Sequence, residues 1–146
     1  MWIDFLTGAN SIYFADGDSV VSIDFGRNPD IKSVHFTDIQ VGIRHDAEVP
    51  ELKWLTHFLS DIGQSSRVEE VKVDVVIADN AVDWSPWEGV DHVLTGTNFR
   101  YLRKVDIEIS DMTNGSGETD WYTVHCRALA ASLPLLQGRG ILGDIT

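Results

Sequence analysis

The sequence predicts an α/β fold, a short solenoid of parallel strands with helices on one face and a β-hairpin at the N-terminus. Two observations predict it. The first is a recurring strand pattern, apolar-x-x-apolar-x-apolar, at Ile31, Val34 and Phe36, at Val68, Val71 and Val73, and at Leu102, Val105 and Ile107. The copies are 37 and 34 residues apart, a step that suits stacked strand–helix units better than a compact enzyme core. The second is the content of the later strands. Lys72 and Asp74 interleave Val71, Val73 and Val75, and Asp106 and Glu108 interleave Val105, Ile107 and Ile109. Parallel strands covered on both faces, as in a doubly wound domain, read as near-continuous apolar runs. Polar alternation therefore leaves one face of this sheet open. Connections of this length imply parallel pairing through right-handed crossovers.

Each element follows from local sequence. Ser11 to Phe14 and Val20 to Phe25 are β-prone, and Ala15-Asp16-Gly17-Asp18 between them holds the Asp-Gly pair of a tight turn. This hairpin is placed to pair with or cover the first solenoid strand, Ile31 to Phe36, which follows a break at Gly26 to Pro29. Thr37 to Val49 is polar and poorly periodic. Pro50 opens a helix where its missing N–H is harmless. Leu52, Leu55, Leu59 and Ile62 form its apolar stripe, Phe58 widens it and Gly63 stops it. Val68 to Ile77 is the next strand.

Ser85-Pro86-Trp87-Glu88 reads as a second helix start, with Ser85 as the cap and Glu88 completing a capping box. Trp87, Val90, Val93 and Leu94 line one side, and Gly96 ends the element. Leu102 to Ile109 repeats the strand. Ser110 to Asp120 is an acidic, Gly-rich loop, and Asp120 caps a third helix running from Trp121 to Leu133, which Pro134 terminates. Leu136 and Ile141 stand 34 residues after Leu102 and Ile107, with Arg139 in the middle apolar position. A degenerate terminal copy is expected there. The result is a single domain over 1–146, with 1–26 as a hairpin cap and 27–146 as three to four βα repeats.

Bulk properties narrow the functional classes. The net charge is -12, from 23 acidic and 11 basic residues. Nucleic-acid binding needs clustered Lys and Arg, which are absent from the sequence, so no nucleic acid is expected. Anionic membrane surfaces are repelled for the same reason, and no stretch approaches the roughly 18 apolar residues of a membrane span. A basic protein partner is the electrostatic complement. Cys126 is the one cysteine, which excludes an internal disulfide and points to a reducing compartment, cytoplasmic or nuclear. The N-terminal Met1 to Leu6 lacks a basic signal-peptide start. Asn114-Gly115-Ser116 has the form of a glycosylation sequon but reads as a loop.

A family resemblance enters through the C-terminal third. Leu102-Arg103-Lys104-Val105-Asp106-Ile107-Glu108-Ile109, a polar loop, a helix, and then Ser132-Leu133-Pro134-Leu135-Leu136-Gln137-Gly138-Arg139-Gly140-Ile141-Leu142 resembles the end of F-box proteins of mushroom-forming fungi. The C-terminal regions of that family are leucine-rich-repeat-like, and the resemblance extends over roughly Ile31 to Ile141. It implies the substrate-binding part of a ubiquitin-ligase receptor. A Leu-Pro-x-Glu-type F-box segment is not found near the N-terminus, so binding of a Skp1-type adaptor is not expected.

Candidate residues fall in two places. On the open sheet face, His35, Lys72 and Asp106 fall in one row, and Thr37, Asp74 and Glu108 fall in the next. Such a ladder suits ligand binding by repeat proteins, or is simply a solvated face. Trp84, beside Ser85-Pro86 and following Asp79 and Asp83, is the loop candidate. An exposed tryptophan is a favoured interface anchor, and the alternative is a staple against the core. Other motifs carry less. His125 and Cys126 are adjacent on a helix and do not face each other. Gly138-Arg139-Gly140-Ile141-Leu142-Gly143 has the letters of a dinucleotide fingerprint but no following helix. Asp16, Asp18 and Asp24 lack the rest of a calcium loop, and no Cys/His group has zinc spacing.

The leading expectation is a non-enzymatic protein-recognition domain with no cofactor, binding through His35, Lys72, Asp74, Asp106 and Glu108, with Trp84 from the loop. The alternatives are a small hydrolase or transferase whose pocket brings His35, His92 or His125 beside a carboxylate, and a truncated gene product with an exposed sheet edge and no independent function.

Overall fold

The structure, a computed structural model, describes residues 11–15, 31–42, 51–61, 67–77, 82–111 and 119–146. Its strands are β1 (Ser11–Ala15), β2 (Ser33–Val41), β3 (Glu70–Ile77), β4 (Lys104–Asp111) and β5 (Leu142–Ile145). Its helices are α1 (Glu51–Asp61), α2 (Trp87–Leu94), α3 (Thr119–Ala131) and α4 (Pro134–Gly138), with a 3-10 turn over Thr97–Phe99. The strands make one all-parallel sheet in the order β1-β2-β3-β4-β5. Chain order and spatial order coincide. From β2 to β5 each crossover therefore advances the sheet by one strand in the same direction, and right-handed crossovers put the described helices, α1 to α4, on the same face.

Burial follows that topology. Val34 and Phe36 on β2, Val71, Val73, Val75 and Ile77 on β3, and Val105, Ile107 and Ile109 on β4 are buried. The alternate residues His35, Lys72, Asp74 and Asp106 are half-buried and Glu108 is exposed. Against the apolar face pack Leu55 and Leu59 of α1, Trp87, Val90 and Leu94 of α2, Leu129 of α3 and Leu136 of α4, with Phe99 and Leu102 filling the approach to β4. The helices also touch one another, α1 on α2, α2 on α4 and α4 on α3. No helix among the described residues is long and apolar enough to cross a membrane.

Several sequence expectations need revision. The strand expected to end at Phe36 runs on to Val41. The register shifts between Phe36 and Ile39, so an extra residue sits in β2 and Ile39 and Val41 return to the buried face. The bulge breaks the period of two, which is why Thr37–Val41 reads as aperiodic. At the start of α2 no side-chain cap forms. Asp83 accepts the Ser85 backbone N–H at 3.0 Å instead, and the Ser85 contacts hold its carboxyl below the usual range. The Ser85–Glu88 capping box is therefore not made.

The C-terminal copy is also displaced. Pro134 does more than stop α3, because it opens α4, and that inserted turn carries Leu136 into the helical layer, where it is fully buried. The fifth strand begins at Leu142, with Val105 opposite Leu142 and Ile107 opposite Ile145. At the other end, the first hairpin arm is β1, and it pairs in parallel with β2 from Ser11↔Ser33 to Ala15↔Thr37. The second arm, Val20 to Phe25, lies outside the described residues, as do Gly63, Asp79, the Asp16-Asp18-Asp24 group and Asn114-Gly115-Ser116.

Candidate functional site

The polar face of the sheet is built by register. His35 stands opposite Lys72, and Lys72 opposite Asp106; Asp74 stands opposite Glu108. Two residues along a parallel strand return to the same face, so these side chains form adjacent rows as the alternation predicts. Thr37 drops out of the second row, because the bulge removes it from the regular pairing with β3.

Diagonal contacts link the rows. His35 Nε2 and Asp74 Oδ2 are hydrogen-bonded at 2.8 Å across β2 and β3. The Lys72 ammonium donates to Glu108 Oε2 at 2.9 Å on β4 and lies 3.5 Å from Asp74 Oδ1. A continuous polar path thus runs His35–Asp74–Lys72–Glu108 over three strands. The hydrogen bond to Glu108, aided by the Asp74 and Glu108 charges, raises the Lys72 pKa above its ordinary value although desolvation opposes it. Lys104 Nζ lies 2.7 Å from Asp106 Oδ2, and that hydrogen bond likewise raises the Lys104 pKa. Both lysines are thus cationic at neutral pH.

Asp74 Oδ1 is buried and finds no hydrogen-bond partner among the described residues. At 3.5 Å the Lys72 ammonium faces it as a charge. Glu108 is 55% exposed, Lys72 41% and Lys104 51%, so these pairs add little to stability. What they do is fix a pattern of donors and acceptors on a rigid surface.

The far edge of this face is held by Asp106. Its Oδ1 accepts the Asp144 backbone N–H at 3.2 Å, tying β5 to β4. The carboxylate occupies the space where a side chain at Gly143 would begin, and the Val105 carbonyl oxygen lies 3.2 Å from the same point. Gly143→Ala is therefore expected to push Asp106 aside and to destabilise the β4–β5 pairing by about 1–3 kcal/mol. Urea unfolding checks the size, and earlier amide exchange in β5 than in β3 checks the location.

Trp84 is the sequence candidate the structure moves elsewhere. It is only 6% exposed, its ring lies 6.1 Å from Trp87, and its indole N–H donates to His125 Nδ1 at 3.2 Å. The expectation of an exposed loop tryptophan is overturned in favour of the staple, because the ring and its one polar atom are both satisfied inside. The three histidines named for a pocket do not converge. His35 is on the sheet face, His92 is exposed on α2, and His125 is buried on α3. Cys126 is half-buried. Burial, and after it the neighbouring Cys126 thiol, pushes the Tyr122 phenol up. The Gly138–Gly143 run follows helix α4 and enters β5, the reverse of a phosphate-binding order. Among the described residues, no group of three or more His, Cys, Asp or Glu is placed to hold a metal ion.

One important residue escaped the sequence reading. Asp91, 2% exposed on α2, accepts the backbone N–H of Leu135 at 2.9 Å and of Leu136 at 2.8 Å. It satisfies the first donors of α4 from a different helix. The available signal was a carboxylate on the same face as Trp87, Val90 and Leu94, where a charge needs partners.

Among the described residues, the fold is a parallel α/β sheet with its helices packed on one face and polar side chains on the other. Comparison of the chain with protein-family models, with curated proteins and with solved structures finds no match.

Proposed function

We propose that the chain is a leucine-rich-repeat-like recognition domain, similar to the substrate-binding part of an F-box ubiquitin-ligase receptor, which binds a protein partner on its polar sheet face. The observation that carries this reading is the path His35–Asp74–Lys72–Glu108, presented across three strands on the face opposite the helices. Rigid strands hold these groups in fixed geometry, and a fixed charge pattern selects partners and their register more than it adds raw affinity. A net charge of -12 favours a basic partner. The reading places the domain in the cytoplasm or nucleus, acting without a cofactor.

The test is charge reversal. Asp74→Lys combined with Glu108→Lys is expected to reduce partner capture about tenfold or more. Glu88→Lys, on the exposed side of α2, leaves capture unchanged. A photo-crosslinking residue at position 108 should give the adduct, and one at position 88 should not. Equal capture by the reversed variant, with its circular dichroism intact, would refute the reading.

A second reading, a small hydrolase or transferase, has the His35–Asp74 hydrogen bond in its favour, since a carboxylate orients an imidazole for general-base work. Ester turnover that disappears in His35→Gln while partner capture persists would select it.

A further inference from the structure

His125 is a buried titratable group that the sheet face does not use. It is 8% exposed and lies between two tryptophans. The Trp121 ring is 4.9 Å away and the Trp84 ring 5.7 Å, both edge-on. Its Nδ1 accepts the Trp84 indole N–H. An indole nitrogen only donates, so this bond requires Nδ1 to be bare and the imidazole to be neutral, with its proton on Nε2. Adding a proton to Nδ1 would set two donors against each other at 3.2 Å. No rotation of the indole about its own bond supplies an acceptor.

Trp84 also belongs to the backbone that starts α2. Its carbonyl accepts the Trp87 N–H at 3.0 Å, and the Ser85 and Pro86 carbonyls accept those of Glu88 and Gly89. We propose that His125 and Trp84 form a proton-operated latch: the neutral imidazole fastens the β3–α2 loop to α3, and protonation at Nδ1 unfastens it.

The surroundings favour the neutral form. Burial lowers the His125 pKa below its ordinary value of 6.5, and the charge of Asp111 at the end of β4 opposes this more weakly. In the Trp84 loop the nearest acid in sequence, Asp83, is held by Ser85. On α3 itself the adjacent titratable groups are Tyr122 and Cys126. The sign follows. The unfolded chain takes up this proton at about pH 6.5 and the folded chain only below that, so the latch is fully fastened above pH 6.5. Its contribution falls away as pH drops from there through the folded-state value.

The experiment is a pH titration of the whole chain by NMR, following the Trp84 indole N–H and the His125 ring together. Trp84 is assigned by the resonance that Trp84→Phe removes from the five tryptophans. The expected result is that both signals move with one common midpoint below pH 6.5, while the Val71 and Val73 amides stay protected, and that the Trp84 signal no longer titrates in His125→Gln. A Trp84 N–H that stays fixed while His125 titrates would overturn the latch. So would a Trp84 titration that persists in His125→Gln, or a His125 that remains neutral until the fold is lost. If His125→Gln does not fold, the two wild-type midpoints alone decide the matter.

Discussion

Asp91→Ala is expected to destabilise the protein by about 3–5 kcal/mol, and Asp91→Asn by about 2–3 kcal/mol. The carboxylate is buried and its two oxygens take the Leu135 and Leu136 N–H groups separately. Removing it leaves two amide donors at the start of α4 without partners, each costing about 1–3 kcal/mol where water does not reach. Asparagine keeps one acceptor but turns an N–H₂ toward the second amide, so it restores only part of the loss. A domain of this size commonly has about 5–15 kcal/mol in total, which puts the alanine variant near the edge of folding. Urea unfolding followed by tryptophan fluorescence gives the two values. Losses below about 1 kcal/mol for both variants would show that α4 is not secured from α2. The site also fixes the C-terminal geometry. The Arg139 guanidinium donates to the Thr95 carbonyl at 3.0 Å, just past the C-terminal end of α2 and one turn beyond Asp91, so both ends of α4 are tied to α2 and α4 delivers Ile141 and β5 to the sheet.

The parts of this structure that were legible in the sequence are those where a period operates without interruption. Val71, Val73 and Val75 on β3, and Val105, Ile107 and Ile109 on β4, are inward, and Lys72, Asp74, Asp106 and Glu108 lie on the other face. That period alone placed His35 beside Lys72 and Asp74 beside Glu108. Leu55 and Leu59 on α1 and Trp87, Val90 and Leu94 on α2 followed from the helical period in the same way. Period fails where one residue is inserted or where a contact is purely tertiary. The bulge in β2 hid Ile39 and Val41. The turn of α4 between α3 and β5 moved the last strand past the spacing of the earlier copies. The ion pairs on the face needed the diagonal neighbours, which register supplies but a single strand does not. Asp91 and Trp84 are tertiary cases, since their partners, the α4 amides and His125, lie 41 to 45 residues away in sequence.

Trp87→Ala is expected to cost about 3–5 kcal/mol, as large as any single truncation in this core. The side chain is 1% exposed, among the largest of the fully buried residues, and it opens α2 at the point where Trp84 folds back on it. Its removal leaves a void under the first turn that Val90 and Leu94, fixed further along the same helix, do not reach to fill. Trp84→Phe tests the neighbouring contact differently. Phenylalanine keeps most of the ring packing and loses the N–H bond to His125, so about 1 kcal/mol is expected. The near-UV circular dichroism of the aromatic cluster should change more than the stability does. The two variants also separate the staple from the interface anchor. If Trp84 were a binding residue, Trp84→Phe would weaken partner capture and leave unfolding unchanged. On the proposed reading, unfolding shifts and capture holds, because the proposed recognition residues Asp74 and Glu108 lie on the opposite side of the sheet. An α2 variant that lost capture while remaining folded would move the binding surface from the strands to the helices.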